Sequence, residues 1–361
     1  MDIEKKNIVI ATGGTGGHIF PSVSLSNFLN NEYEIDFITD KRGLKYLRTN
    51  KDLRINIINS GTIFSKNIFK IILGLIKIFF SIISSFKILI KLKPKLVVGM
   101  GGYSSFAVCL SAYLLKIPIL IYENNLVIGR TNRFLLPLSK KILISTESIE
   151  GIKNKYSQKI FFSGYFLRKE IFETKRQDLK LEKELSILII GGSQSAKIFG
   201  EYFPKVIKEC CNNNIRFKIY QQCLDYQTEE LNKIYKSLNL DFELFTFTED
   251  LTKYYEKADL AITRSGASSL AELVNLNIPF ITIPLPSSAD NHQLKNAIYF
   301  KSKGYCFLLE QKYIFEKLFE MLKDLNKDRN QLVLMQQKMK EHSDRKSLSK
   351  TKELIKKVLN G

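Results

Sequence analysis

Histidine and cysteine are scarce in this chain, and acidic residues are outnumbered. The histidines are His18, His292 and His342, and the cysteines are Cys109, Cys210, Cys211, Cys223 and Cys306. Only Cys210 and Cys211 adjoin, and none stands at a metal-site spacing. That argues against a structural zinc site or a disulfide framework, and reduced cytosolic thiols are expected. Neither G-x-G-x-x-G nor G-x-x-x-x-G-K-[ST] occurs, since Ala196 precedes Lys197 where the second pattern comes nearest. Dinucleotide and P-loop cradles therefore lose their best support. No helix-turn-helix, RNA-binding or zinc signature is visible, and no aromatic-basic interleaving, so no specific nucleic acid is expected as a partner. The polar start, MDIEKKN, runs directly into a strand, which argues against a signal peptide.

What the chain does have is basic charge and apolar content. Its 361 residues carry 55 Lys and Arg against 36 Asp and Glu, a formal net charge of +19. Such a balance points to acidic partners: nucleic acid bound without sequence preference, anionic lipid, or phosphorylated substrates. Apolar residues make up 45%, enough for large cores, and the length favours two domains.

Short apolar runs alternate with longer helical stretches. IVIA (8–11), IDFIT (35–39), LVVGM (96–100), IPILIYE (117–123) and KILIS (141–145) read as buried strands. A second series follows with LSILIIGG (185–192), RFKIYQQ (216–222), FELFTF (242–247), ADLAITRSG (258–266) and IPFITIP (278–284). This is the βαβ rhythm of parallel sheets with right-handed crossovers. Two such series in tandem predict an α/β chain of two Rossmann-like domains. The expected division is 1–164 and 165–344, with an amphipathic C-terminal helix over 345–361 crossing back to the first domain.

Three glycine turns stand between strand and helix: TGGTGGH (12–18), GMGGYSS (99–105) and GGSQSAK (191–197). Glycine allows close backbone approach, and N–H groups at the following helix start face an anion. Any single turn could merely close a βα unit. Three of them, two in the first domain, point to two phosphorylated ligands. His18 stands at the edge of the first turn, where the positive end of the helix dipole favours the neutral imidazole. It could act as a proton acceptor, or it could be a packing or capping residue.

Six motifs together, GGTGGHIFP, GMGGYSS, YENN…GRTNR, GGSQSAK, RSGASSLAEL and DNHQLKNA, resemble one enzyme family in order and spacing, from residue 8 to about 345. It is the bacterial lipid II-forming N-acetylglucosaminyltransferase family of peptidoglycan synthesis. The resemblance implies the GT-B fold, two Rossmann-like domains facing a cleft. It also implies transfer of GlcNAc from UDP-GlcNAc to the 4-hydroxyl of MurNAc in undecaprenyl-diphospho-MurNAc-pentapeptide (lipid I). His18 then matches the general base, and Glu123 an acidic residue suspected of helping the acceptor. Thr15, Gly16 and Gly17 border the donor sugar, Asn125 contacts it, and Gln293 meets its hydroxyls. Arg168 and Ser193 match donor-diphosphate contacts, and Thr248 sits where a backbone group reads the uracil. Ala267, Ser268, Ser269, Leu270, Ala271 and Glu272 match the stretch under the nucleotide, Glu272 holding the ribose. Read alone, SLAE (269–272) is also a capping-box pattern, which would make Glu272 a helix cap. Gly13, Gly14, Gly101, Gly102 and Tyr103 fall at the acceptor-diphosphate position. The first domain would bind acceptor and membrane, and the second the donor.

The chain departs from the family pattern at three places. Ser195 replaces a glycine, Asn124 replaces the glutamine of an E-Q-N triplet, and Tyr165 and Phe166 replace Asn-Pro ahead of Arg168. No D-x-D triplet occurs, the usual metal signature of the other main glycosyltransferase fold, so metal-independent chemistry without a cofactor is expected. A non-catalytic sugar-nucleotide-binding subunit is the alternative, although such a protein needs no His18.

The most apolar stretch is 66–95, and its longest uncharged run, 78–86, is far shorter than the ~20 residues that span a bilayer. A helical wheel gathers Lys66, Lys70, Lys77, Lys87 and Lys91 on one side, with Gly74, Ser81, Ser84 and Ser85 on or near it. One apolar flank is expected to pack on the first sheet and the other to enter an anionic membrane surface, giving peripheral attachment to the cytoplasmic face of the plasma membrane. A wholly buried core helix is the alternative.

Overall fold

The computed structural model describes residues 5–14, 16–48, 52–61, 68–176, 178–179, 184–191, 196–246, 248 and 250–360. The chain divides into two compact units. Unit 1 runs to Arg168 and resumes at Asp344, and unit 2 is Lys169–Ser343.

Unit 1 begins with β1 (Asn7–Ala11), α1 (Gly16–Leu29), β2 (Glu34–Thr39), α2 (Lys41–Leu47) and β3 (Arg54–Ile57). It continues with α3 (Ile68–Leu92), β4 (Leu96–Gly99), α4 (Gly102–Leu114), β5 (Ile119–Glu123), α5 (Arg130–Leu135), β6 (Lys141–Ile144) and β7 (Ile160–Phe162). The strands form one parallel sheet in the order β3-β2-β1-β4-β5-β6-β7. Strand alternation builds a core on each face. Ile8, Ile10, Val98 and Leu120 face one side, and Val9, Ala11, Val97 and Ile121 face the other. The chain reverses its direction of growth between β1 and β4, whose register pairs Ala11 with Gly99. Ligands of open parallel sheets bind beyond such a switch point, and here the first two glycine turns leave it side by side.

Unit 2 comprises α6 (Lys169–Glu173), β8 (Leu185–Ile190), α7 (Ala196–Asn212), β9 (Phe217–Gln222), α8 (Thr228–Ser237), β10 (Phe242–Phe245) and α9 (Thr252–Tyr255). It goes on through β11 (Leu260–Thr263), α10 (Ala267–Asn275), β12 (Phe280–Thr282), α11 (His292–Ser302), β13 (Cys306–Leu308), α12 (Ile314–Lys327) and α13 (Asn330–Lys340). Its parallel sheet has the order β10-β9-β8-β11-β12-β13. The switch point lies between β8 and β11, where Ile190 pairs with Thr263. Gly191 and Arg264 leave those strands together.

The last helix, α14 (Ser347–Asn360), belongs to unit 1. Leu354 and Ile355 enter the core that holds Ile8 and Ile10. Lys352 and Lys356 reach Glu32 at 2.8 and 3.3 Å. The division between units falls after Arg168 and not after residue 164, because Tyr165 and Phe166 are anchored in unit 1. The Tyr165 N–H donates to Asp344 Oδ1 at 2.9 Å, and the Phe166 ring stacks on Tyr122 at 4.1 Å. Strands β3, β7 and β13 were not expected from the sequence.

Helix α3 refines the wheel. It packs on α4 through its small-residue side, where Gly74, Ser81, Ser85 and Leu89 are buried. The Ser111 hydroxyl donates to the Ile82 carbonyl at 3.0 Å. Small side chains let two helices approach closely, and beside them Ile82, Ile88, Leu89 and Leu92 join the core of unit 1, so one apolar flank packs and the other is left outward. Phe69, Leu73, Leu75, Phe79 and Phe80 are each more than half exposed.

Candidate active site

In unit 1, His18 lies on the first turn of α1, half-buried. Its carbonyl accepts hydrogen bonds from the hydroxyls of Thr12 at 3.2 Å and Ser22 at 2.9 Å. Its ring rests on the second glycine turn. A methyl group added to Gly101 would lie 2.7 Å from the imidazole, and one added to Gly102 would lie 2.7 Å from the Gly13 carbonyl oxygen. Both glycines have positive φ, 95° and 83°. Only glycine meets both demands, so the two turns interlock through backbone. Ser104 locks them further, donating to the Thr12 carbonyl at 2.9 Å. Tyr103 follows directly on α4, and Gly16 and Gly17 open α1.

Glu123 ends β5 and is 3% exposed. Its Oε1 accepts from the Asn125 N–H at 3.1 Å and from Asn125 Nδ2 at 3.0 Å. Its Oε2 accepts from the Gly129 N–H at 2.8 Å and from Asn132 Nδ2 at 3.0 Å. Four donors thus converge on one carboxylate, which shapes the loop from 124 to 132. Asn125 also donates to Asn124 Oδ1 at 2.9 Å, and Asn124 Nδ2 donates to the Gly17 carbonyl at 2.9 Å. The chain of contacts runs from Glu123 to the residue beside His18. Asn132 was not singled out in the sequence, although its motif was.

The Arg168 guanidinium sits 5.8 Å over the Phe20 ring of α1, two residues beyond His18. Thr15 and Ser193, two of the expected contacts, and Ser195 lie outside the described residues.

In unit 2, α10 starts at Ala267 with Gly266 as its N-cap, and no side chain caps it. A capping box would require Ser269 to be the N-cap, so Glu272 is no helix cap. It lies in the second turn, 9% exposed, and its Oε2 accepts from the Tyr255 hydroxyl at 2.8 Å. The first intrahelical bond runs from the Leu270 N–H to the Gly266 carbonyl. The N–H groups of 267–269 precede it and point out of the helix start. Ala267 has a buried side chain, so it can offer a ligand only backbone, and Leu270 and Ala271 are buried in the helix behind it.

Gln293, on the first turn of α11, accepts from the Leu285 N–H through Oε1 at 2.9 Å. Just before it, Asp290 and Asn291 both have positive φ, 49° and 54°. Two such residues in succession store strain of a kind that gathers at binding loops. Arg264, unremarked in the sequence, braces this loop from below. It donates to the Ile283 and Pro284 carbonyls at 3.0 and 3.2 Å and to Gln311 at 2.8 Å. Burial pushes its pKa down to about 10. Thr248, in the loop after β10, has its hydroxyl tied to the Asp250 backbone at 3.1 and 3.2 Å.

Known proteins carry the same pattern. The glycosyltransferase family 28 N-terminal domain matches residues 8–144, and the family's C-terminal domain matches 186–357. The UDP-N-acetylglucosamine–N-acetylmuramyl-(pentapeptide) pyrophosphoryl-undecaprenol N-acetylglucosamine transferase of Pelagibacter ubique (strain HTCC1062) is 38% identical over 93% of this chain and 94% of its own. The enzyme of the same name from Francisella tularensis subsp. tularensis (strain FSC 198) is 34% identical over the whole of both chains. The chain belongs to glycosyltransferase family 28. Among solved structures, Acinetobacter baumannii MurG superposes with a TM-score of 0.78 at 27% identity, over 98% of this chain and 99% of its own. The GT-B architecture and glycosyltransferase class expected from the motifs are therefore in place.

Two departures from the family pattern have a structural account. Asn124, shorter than glutamine, still reaches the Gly17 carbonyl. Phe166, at the position of the family's proline, has an N–H, which donates to the Tyr122 hydroxyl at 3.3 Å.

Proposed function

We propose that this chain forms lipid II, moving GlcNAc from UDP-GlcNAc to the 4-hydroxyl of MurNAc in lipid I. The observation that carries this reading is the 38% identity, over 93% of the chain, to a transferase of that name. Unit 1 takes the acceptor at its two interlocked glycine turns, and unit 2 takes the nucleotide at the start of α10. The acceptor oxygen attacks the anomeric carbon as the bond to UDP breaks, inverting the centre. His18 receives the proton from the attacking hydroxyl. The leaving diphosphate is met by Arg168 and by N–H groups at the start of α10, preorganised charge that can serve where other enzymes use a metal. Glu272 holds the ribose, and Gln293 the sugar hydroxyls. Glu123 supports this arrangement by fixing the loop beside His18.

The test is purified protein, UDP-GlcNAc and a short-chain lipid I analogue, with product followed by mass. A GlcNAc-MurNAc product that survives EDTA is expected. Its absence would overturn the activity, and loss restored only by Mg²⁺ or Mn²⁺ would overturn the metal-free mechanism.

We further propose peripheral attachment to the cytoplasmic face of the plasma membrane through α3. By length and apolar content this helix could cross a bilayer, with only 17% of its apolar window buried. It nevertheless packs on α4 and joins β3 to β4 of one sheet, so both its ends are held in the same unit. Lying in the interface would cover its exposed Phe and Leu residues. Lys77, Lys87 and Lys91 are exposed and would meet anionic head groups, at ~1 kcal/mol each. Binding to anionic vesicles that weakens with salt is expected, and none at low salt would refute the attachment.

A further inference from the structure

We propose that Arg42 binds the diphosphate of the acceptor and that Asp40 holds it there, an inference that rests on reading the first two glycine turns as the acceptor-diphosphate site. Asp40 follows β2 as the N-cap of α2 and is 3% exposed. Its Oδ1 caps α2, accepting from the N–H groups of Arg42 at 3.1 Å and Gly43 at 2.9 Å. The same oxygen meets the N–H of Gly14, in the first glycine turn, at 3.4 Å. Its Oδ2 accepts from the Ser60 hydroxyl at 2.6 Å and from Arg42 Nη2 at 2.8 Å. Burial alone would raise the pKa of this carboxyl. The hydrogen bonds from Ser60, Gly43 and Arg42, and the Arg42 charge, outweigh burial and hold it below the ordinary value.

An ionised carboxylate therefore stands against the turn assigned to a diphosphate. Unneutralised, it would repel that ligand. Arg42 supplies the opposing charge, and its guanidinium also lies 6.0 Å over the ring of Tyr103, in the second turn. The cation thus stands by the second turn and is tied to the first through Asp40. Its side chain is 57% exposed, and among the described residues its guanidinium makes no hydrogen bond or ion pair besides that to Asp40. A planar fork with donors to spare, held on one side by a buried carboxylate, suits two-point recognition of phosphate oxygens. Structural needs of α2 do not explain the side chain, because the cap uses only the Arg42 backbone.

The experiment is steady-state kinetics with a water-soluble, short-chain acceptor analogue and no bilayer. Arg42→Ala should raise the acceptor KM about 10- to 100-fold, the range of a charge-assisted hydrogen bond to a charged ligand. The KM for UDP-GlcNAc should not change. Arg42→Lys, which keeps the charge and loses the fork, should show a smaller rise. In Arg42→Ala the Asp40 charge is left bare, so adding Asp40→Asn should recover part of the lost affinity, which a merely structural arginine would not allow. An unchanged acceptor KM in an Arg42→Ala enzyme that still turns over would overturn this inference alone. A defect seen only with vesicle-embedded acceptor would also overturn it, assigning the cation to lipid head groups. No turnover by the parent protein would overturn the underlying function and this inference together.

Discussion

In unit 1 the residues around His18 are held by backbone. Gly101 lies against the imidazole, Gly102 lies against the Gly13 carbonyl, and Glu123 gathers the 124–132 loop with four hydrogen bonds. In unit 2 the residues matched to the donor are engaged through side-chain contacts, Glu272 with Tyr255 and Gln293 with the Leu285 N–H. The loop before Gln293 is strained at Asp290 and Asn291. A backbone fit tolerates no substitution, but it also offers no give. A side-chain contact can be exchanged for one to a ligand hydroxyl with little rearrangement. The contrast suits a fixed base on one unit and an adaptable grip on the other. Changes around His18 in unit 1 should strike kcat, and changes in unit 2 should strike the KM for UDP-GlcNAc.

The largest effect should come from His18→Ala. Loss of a positioned base lowers rate by ~10²–10⁴-fold. UDP binding, measured by titration, should stay nearly intact. Gly101→Ala should act in the same direction without touching the imidazole's chemistry, because the new methyl displaces the ring. Normal turnover by His18→Ala would break the comparison, since the base would then lie elsewhere. Glu123→Gln separates the carboxylate's two roles. It places an amide among four N–H donors, so melting temperature and activity should fall together. Activity lost at an unchanged melting temperature would instead mean that the carboxylate acts on the acceptor.

A smaller effect is expected in unit 2. Glu272→Ala and Gln293→Ala should raise the KM for UDP-GlcNAc, each losing hydrogen bonds worth ~0.5–1.5 kcal/mol, or more where the carboxylate is the partner. Their kcat should move little. A fall in kcat larger than the rise in KM would show that the donor grip tightens only in the transition state.

The central strands were legible because parallel strands buried on both faces read as unbroken apolar runs. The missed ones lack that signal. RINI of β3 is a half-exposed edge strand, and β7 and β13 have three residues each. The glycine turns and His18 were legible because glycine marks close approach in any sequence. Glu123 was visible as an acid, but its role depends on donors two, six and nine residues on that meet only when the loop folds. Glu272 looked like a cap because its true partner, Tyr255, is 17 positions away. Asp40 and Arg42 belong to none of the six motifs. In α3 the wheel separated small residues from large ones, but it could not say which side a neighbouring helix covers.

The smallest effect tests whether the crossing segment is part of the unit 1 frame. Phe166 lies two residues before Arg168, is 2% exposed, and stacks on Tyr122 with the rings 13° from parallel. Ser145 donates to the same Tyr122 hydroxyl at 2.8 Å. Tyr122 immediately precedes Glu123, so the stack ties the approach to Arg168 to the strand that carries the carboxylate. Phe166→Leu keeps the apolar bulk and the N–H and removes the aromatic pairing, worth ~0.5–1.5 kcal/mol beyond burial. The melting temperature should fall by a few degrees. Both KM values and kcat should stay within about twofold, because burial alone still fixes the backbone. A large loss of UDP-GlcNAc affinity at an unchanged melting temperature would overturn this account. The stack would then set the position of Arg168 directly, and the unit 1 frame would reach into donor binding.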